Sequence, residues 1–217
     1  MRWANGQLGK WSQRGLLVRI DKAVEPSMYR CAIISQAELE QLRRIEDIVR
    51  LGHLQSVQST QITLDGGSLP ADPDTLYIDC SARAIQMPPA LPIFDGDQIN
   101  LLMVRWCQPV FSAALIAYVE SHVADPAEQN ALCRLVPSPE HPIDWLRMWA
   151  VTLANMTSWR QNAGLNAWLS QCRLNSQNAI MRGMRPDDTA KLALLQESGA
   201  KAAAAAARLP ALLATLN

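Results

Sequence analysis

Twenty basic and twenty acidic residues cancel in a chain of 217 residues, which argues against a nucleic-acid partner, since such a partner needs a basic face to displace counterions. Hydrophobic residues make up 49% and charged residues 18%, so the chain is globular, with length for one domain or one and a half. The longest apolar run, Phe111 to Val119, is too short to span a bilayer.

The N-terminal stretch is basic without an apolar core, so no signal peptide is expected. The five cysteines, Cys31, Cys80, Cys107, Cys133 and Cys172, are odd in number and form no Cys-x-x-Cys. That pattern reads as isolated thiols in a reducing compartment, and the expected location is the cytoplasm.

In chain order, Leu16 to Ile20 and Tyr29 to Ile34 read as strands. Ser35 with Glu38 three residues on is a capping box, opening a helix over residues 37–50. Leu39, Leu42, Ile45 and Val49 form its buried stripe, and Gly52 is placed to end it. His53 to Val57 and Gln61 to Leu64 alternate as short strands, and Asp65-Gly66-Gly67 is a strong turn. Pro70 and Pro73 carry an extended crossing to Leu76–Ile78, which reads as a strand buried on both faces and ending at Cys80-Ser81-Ala82. Asp95-Gly96-Asp97 is a further turn, and residues 99–106 read as a strand or buried segment. Pro109 precedes a helix over residues 111–123, and Asp125-Pro126 starts a short one.

Pro137, Pro139 and Pro142 read as a linker, with helices beyond it. The boundaries are therefore residues 1–136, an α/β domain, and 137–217, a helical C-terminal region. Trp145 and Trp149, four apart, share one helix face, as core or as a lid. The Ala-rich tail has high helix propensity but a thin apolar face, suited to fraying or to docking on a partner. His53, His122 and His141 lack a Cys, His or carboxylate at ligand spacing, so no metal site is expected.

Three motifs carry a resemblance. Leu64-Asp65-Gly66-Gly67, Ala71-Asp72 and Asp79-Cys80-Ser81-Ala82 resemble the β-meander of two-domain flavoproteins, with Cys-Ser-Ala where that pattern has Ala-Thr-Gly. Gly96-Asp97 resembles the element whose carboxylate accepts hydrogen bonds from ribityl hydroxyls. Ser112 and the alanines after it resemble the helix whose N-terminus faces the cofactor. The same residues also read as a hairpin with a buried strand, a surface turn and an amphipathic core helix.

Over Leu16 to Trp159 the order of elements looks like the C-terminal half of bacterial FAD/NAD(P)-dependent, pyridine nucleotide-disulfide oxidoreductase-like proteins. The resemblance implies an α/β fold with a partial Rossmann-like dinucleotide-binding core and a β-meander. It implies FAD, with NADPH as a further candidate, and a small-molecule substrate. The cofactor-binding residues it implies are Asp97, Gly96, Ser81, Ala82 and Ser112. It carries over no catalytic residue.

The chain has no Gly-x-Gly-x-x-Gly to hold a pyrophosphate. Catalysis would therefore need a Gly-rich half from elsewhere in the polypeptide, from a homo-oligomer or from a partner chain. The alternative is a non-catalytic remnant or interaction module that has lost the cofactor loop. Cys80 is the one thiol at the presumed cleft, and it reads equally as a small buried hydrophobe.

Overall fold

The computed structural model describes residues 18–24, 34–80, 89–176, 178, 181, 184, 185 and 187–215. The chain mixes helices with two small antiparallel sheets. It divides into two compact units, one containing residues 20–23 and 34–80, the other residues 89–215.

In the smaller unit, helix α1 (Gln36–Leu42) opens on the expected capping box. Ser35 Oγ accepts from the Glu38 N–H at 3.2 Å, and the Glu38 carboxylate accepts from the Ser35 N–H at 2.6 Å. The helix is shorter than its periodicity predicts. It gives way to turns at Arg43, and Ile45, Ile48 and Val49 are exposed, leaving Leu39 as its buried residue.

Strands β1 (Leu54–Val57), β2 (Gln61–Leu64) and β3 (Gly67–Pro70) form an antiparallel meander in that order. The Asp65-Gly66 turn closes β2 onto β3, with Leu64 opposite Gly67. Asp65 ties this turn to the start of β1. Its carboxylate accepts the His53 N–H at 2.7 Å and the Gln55 side-chain amide. Gly52 lies against it at φ +84°, where an added Cβ would meet the Asp65 side chain at 2.8 Å. Leu76–Ile78, expected as a buried strand, is irregular, with Leu76 83% and Ile78 74% exposed. An apolar triplet after two prolines, with no strand pairing it among the described residues, stays exposed.

In the larger unit, β4 (Phe94–Asp95) and β5 (Gln98–Ile99) form a hairpin. Gly96 takes φ +57° in its turn, a conformation that favours glycine. Residues 100–108 run as an irregular loop, not as the expected strand. Helix α2 (Pro109–His122) follows, then α3 (Pro126–Leu132), α4 (Pro142–Gln161), α5 (Ala163–Gln171) and α6 (Thr189–Ala214). Asn130 of α3 clamps β4 in both directions, accepting from the Phe94 N–H at 3.1 Å and donating to its carbonyl at 2.8 Å.

One core joins Ile93 and Phe94, Val104, the Phe111, Leu115, Ile116 and Val119 face of α2, Leu132, Cys133, Trp159 and Leu165. A second cluster seats the Ala-rich α6 on α4 through Leu146, Leu153 and Leu209. The tail therefore docks within the unit, its few leucines sufficing because alanine neighbours allow close approach. Trp149 joins this cluster, and its ring lies tilted against Trp106 with centroids 4.5 Å apart. Cys107 is disulfide-bonded, which corrects the expectation of isolated thiols, while Cys80, Cys133 and Cys172 are free. Burial pushes the Cys133 thiol up to about 12, so it is an inert core residue.

The strand predicted at Tyr29–Ile34 lies outside the described residues but for Ile34, and the one at Leu16–Ile20 is described from Val18 on. Val18, Arg19 and Ile20 are irregular. No helix among the described residues is long and apolar enough to cross a membrane.

Candidate functional site

The loop between β5 and α2 is held at successive points. The Val136 N–H donates to the Met103 carbonyl at 2.7 Å. The Val104 N–H donates to Ser112 Oγ at 3.2 Å, and the Val104 carbonyl accepts from Asn155 Nδ2 at 2.8 Å. Asn155 Nδ2 also donates to the Arg134 carbonyl at 2.7 Å, so one amide of α4 binds two loops. Val104 itself is fully buried. This anchoring fixes the direction of the next side chain, Arg105.

Arg105 is 2% exposed. Its guanidinium lies over the Phe111 ring at 4.7 Å and the Trp106 ring at 5.1 Å, in the range where a cation is attracted to an aromatic face. One terminal nitrogen donates to Asn175 Oδ1 at 3.0 Å. Nε is buried with no hydrogen-bond partner, and no carboxylate pairs with Arg105 among the described residues. Burial lowers its pKa from the ordinary arginine value, with the nearby Cys172 acting the other way. The group still remains a cation at neutral pH, as arginine does throughout proteins.

Asn175 is itself braced. Its Nδ2 donates to the Leu169 carbonyl at 3.2 Å and to Asn178 Oδ1 at 3.3 Å. Asn178 Nδ2 in turn donates to the Leu169 and Cys172 carbonyls at 2.6 and 2.9 Å. These two asparagines thus tie off the end of α5 and present one oxygen to Arg105.

Arg105 borders a cavity of about 200 Å³. Met156, Trp159 and Arg160 of α4 form one wall, and Asn166, Leu169 and Ser170 of α5 another. Trp159 is locked by donating Nε1 to the Leu132 carbonyl at 2.7 Å. Asn162 ends α4 and caps α5, accepting the Leu165 N–H at 3.0 Å, and so sets the bend that opens the cavity between the two helices. No acidic residue lines it among the described residues. A cavity with a buried cation, an exposed second cation and walls of mixed polar and apolar side chains has the charge to attract an anion. It contains no general base beside a nucleophile.

The residues singled out from sequence are not gathered there. Gly96 and Asp97 form the exposed tip of the β4–β5 hairpin, and Asp95 is exposed beside them. Ser112 is buried, and its hydroxyl is engaged by Val104. No hydrogen bond joins Asp97 to Ser112 among the described residues. Ser81 and Ala82 lie outside the described residues, and Cys80 before them is exposed. No three His, Cys, Asp or Glu side chains gather at a metal-binding geometry among the described residues.

Sequence reasoning passed over Arg105, Arg160 and Asn175. The signal for Arg105 was a charged residue inside the apolar string INLLMVRW, where a cation needs a reason to be buried.

The chain is similar to the "Uncharacterized protein Mb2023" of Mycobacterium bovis (strain ATCC BAA-935 / AF2122/97), 53% identical over 161 residues. It is equally similar to the "Uncharacterized protein Rv2000" of Mycobacterium tuberculosis (strain ATCC 25618 / H37Rv), 53% identical over 161 residues. In both cases the match covers 74% of this chain, and the chain spans 30% of the relative's length. No family model matches the chain. No solved structure matches it.

Proposed function

We propose that this chain is a ligand-binding portion of a larger protein, and that its larger unit holds a small anionic molecule at Arg105. The observation that carries this is a buried guanidinium with an orphan N–H and no acidic partner among the described residues, beside a cavity without acids. Burying an unpaired cation costs several kcal/mol after relaxation, roughly the cost of desolvating one ion of a buried pair. A fold that keeps such a group supported by Asn175 and two aromatic rings has a use for it. The match to relatives about three times as long as the matched segment supports the reading as a portion of a larger protein.

The test is a titration of the purified chain with sodium acetate, sodium phosphate and sodium chloride at constant ionic strength, followed by tryptophan fluorescence and melting temperature. Acetate or phosphate should raise the melting temperature and chloride should not. Arg105→Gln should abolish the rise. Equal response to all three salts would overturn the reading.

The flavoprotein reading, with its partial Rossmann-like core, FAD and NADPH, is a second proposal, supported by the β1–β3 meander and its Asp65-Gly66 turn. A cavity of 200 Å³ lies below the roughly 300–1,000 Å³ that encloses a drug-sized ligand, so a dinucleotide would need a surface other than the Arg105 cavity. The visible absorption spectrum of the freshly purified chain decides this reading. Flavin released on denaturation supports it, and none after incubation with excess FAD overturns it for this chain.

A further inference from the structure

Resting on the anion-binding reading above, we infer that the ligand is a short dianion with its two charges at opposite ends, as in a small dicarboxylate. The inner carboxylate meets Arg105 and the outer one Arg160.

Five observations converge on this class. The two charged residues lining the cavity are both arginines, so a monoanion would leave one of them uncompensated. They differ in depth, since Arg105 is 2% exposed while Arg160 is exposed on the surface of α4. A ligand reaching both must therefore extend from floor to mouth.

Between them Met156, Trp159 and Leu169 supply apolar surface, which suits a methylene linker, beside the polar Asn166, Ser170, Asn175 and Asn178. Other donors are few. The Asn175 and Asn178 amides are committed to backbone carbonyls and to each other, and the Ser170 hydroxyl donates to the Ala167 carbonyl at 2.7 Å. A neutral polar end would find the exposed Asn166 amide alone, whereas a carboxylate finds a guanidinium at each end, the cation best suited to it. Size bounds the ligand: about 200 Å³ lies below the roughly 300–1,000 Å³ that encloses a drug-sized molecule, which favours a chain of a few carbons.

The experiment is isothermal titration of the full chain with sodium acetate, sodium succinate and inorganic phosphate at constant ionic strength, repeated on Arg160→Gln. Succinate should bind at least tenfold more tightly than acetate. Inorganic phosphate, whose charges share one centre, should bind no better than acetate. Arg160→Gln should bring succinate down to the acetate value and leave acetate within twofold. Arg160 is exposed, so the variant folds as the parent does, which circular dichroism verifies. Equal binding of acetate and succinate, or a succinate affinity untouched by Arg160→Gln, overturns the two-ended dianion while leaving the Arg105 site standing. Phosphate binding more tightly than succinate also overturns it, since both arginines would then converge on one centre. Failure of all three anions to bind overturns this inference together with the reading it rests on.

Discussion

Replacing Arg105 with methionine separates a ligand seat from a structural keystone, because the two roles predict different stabilities. Methionine keeps much of the aliphatic stem that packs between Trp106 and Phe111. The variant loses a charge-assisted hydrogen bond to Asn175, about 1.5–3 kcal/mol. It also loses two cation–π contacts, about 0.5–2 kcal/mol each. Against this, it no longer buries a guanidinium whose Nε is unsatisfied and which no carboxylate neutralises, a relief of several kcal/mol. The losses sum to about 2.5–7 kcal/mol and the relief offsets several of them, so Arg105→Met should unfold in urea within about 2 kcal/mol of the parent when no anion is present. Removing one partner of a true buried ion pair would instead cost about 3–5 kcal/mol. With a binding anion at a hundred times its dissociation constant the parent should gain about 2.7 kcal/mol, and the variant should gain nothing. Tryptophan fluorescence reports on this unit through Trp106, Trp149 and Trp159, which belong to it. A loss of 3 kcal/mol or more without anion, or an undiminished anion response, would refute the reasoning.

Asn155→Ala should cost about 1–3 kcal/mol by removing two hydrogen bonds of ~0.5–1.5 kcal/mol each, to the Val104 and Arg134 carbonyls. It should also weaken acetate binding by loosening the loop that aims Arg105, as read by urea unfolding and titration. Gly52→Ala should destabilise the smaller unit by at least about 1 kcal/mol, because it adds left-handed strain and forces a contact with Asp65; amide exchange in β1–β3 measures it. The Asp65 carboxyl is held below its ordinary range by the His53 N–H, then by Gln55. A depressed folded-state pKa means that its contribution is present above the ordinary carboxylate range and is lost as pH falls through the lower folded value. NMR shifts of the β1–β3 amides should therefore move in acid, and Asp65→Asn should remove that transition.

What could be read from sequence was local. Ser35 with Glu38, Asp65-Gly66, Gly96, Pro109 and Asp125-Pro126 each dictate a backbone event within four residues, and each occurs where expected. The errors arose where a pattern needed a partner. Ile45 and Val49 continue the periodicity of α1, yet the helix stops at Leu42 and leaves them exposed. Leu76–Ile78 has the composition of a buried strand, but neither β1 nor β3 reaches it. Residues 99–106 read as one segment because their hydrophobicity is continuous. Ile99 and Asn100 bond back to the β4 side, while Met103, Val104 and Arg105 bond forward to Val136, Ser112, Asn155 and Asn175, a set dispersed along the chain.

The same dispersion explains why the candidate site escaped the sequence. Twenty basic residues against twenty acidic ones give a neutral chain, and neutrality hides an uneven placement. The acids Glu38, Asp65, Asp144 and Asp188 are spent on helix starts, turns and local ion pairs, each within about a dozen residues of its partners. Arg105 instead reaches Asn175, seventy positions away, and two aromatic rings, none of which neutralises it. Placement does the rest, since the acids nearest to Arg105 in sequence, Asp95 and Asp97, stand on the exposed β4–β5 hairpin. A sequence can show which acids are positioned to cap and turn. It shows Arg105 as a cation in an apolar string, and not that Arg105 turns into the interior while those two acids stay at the surface.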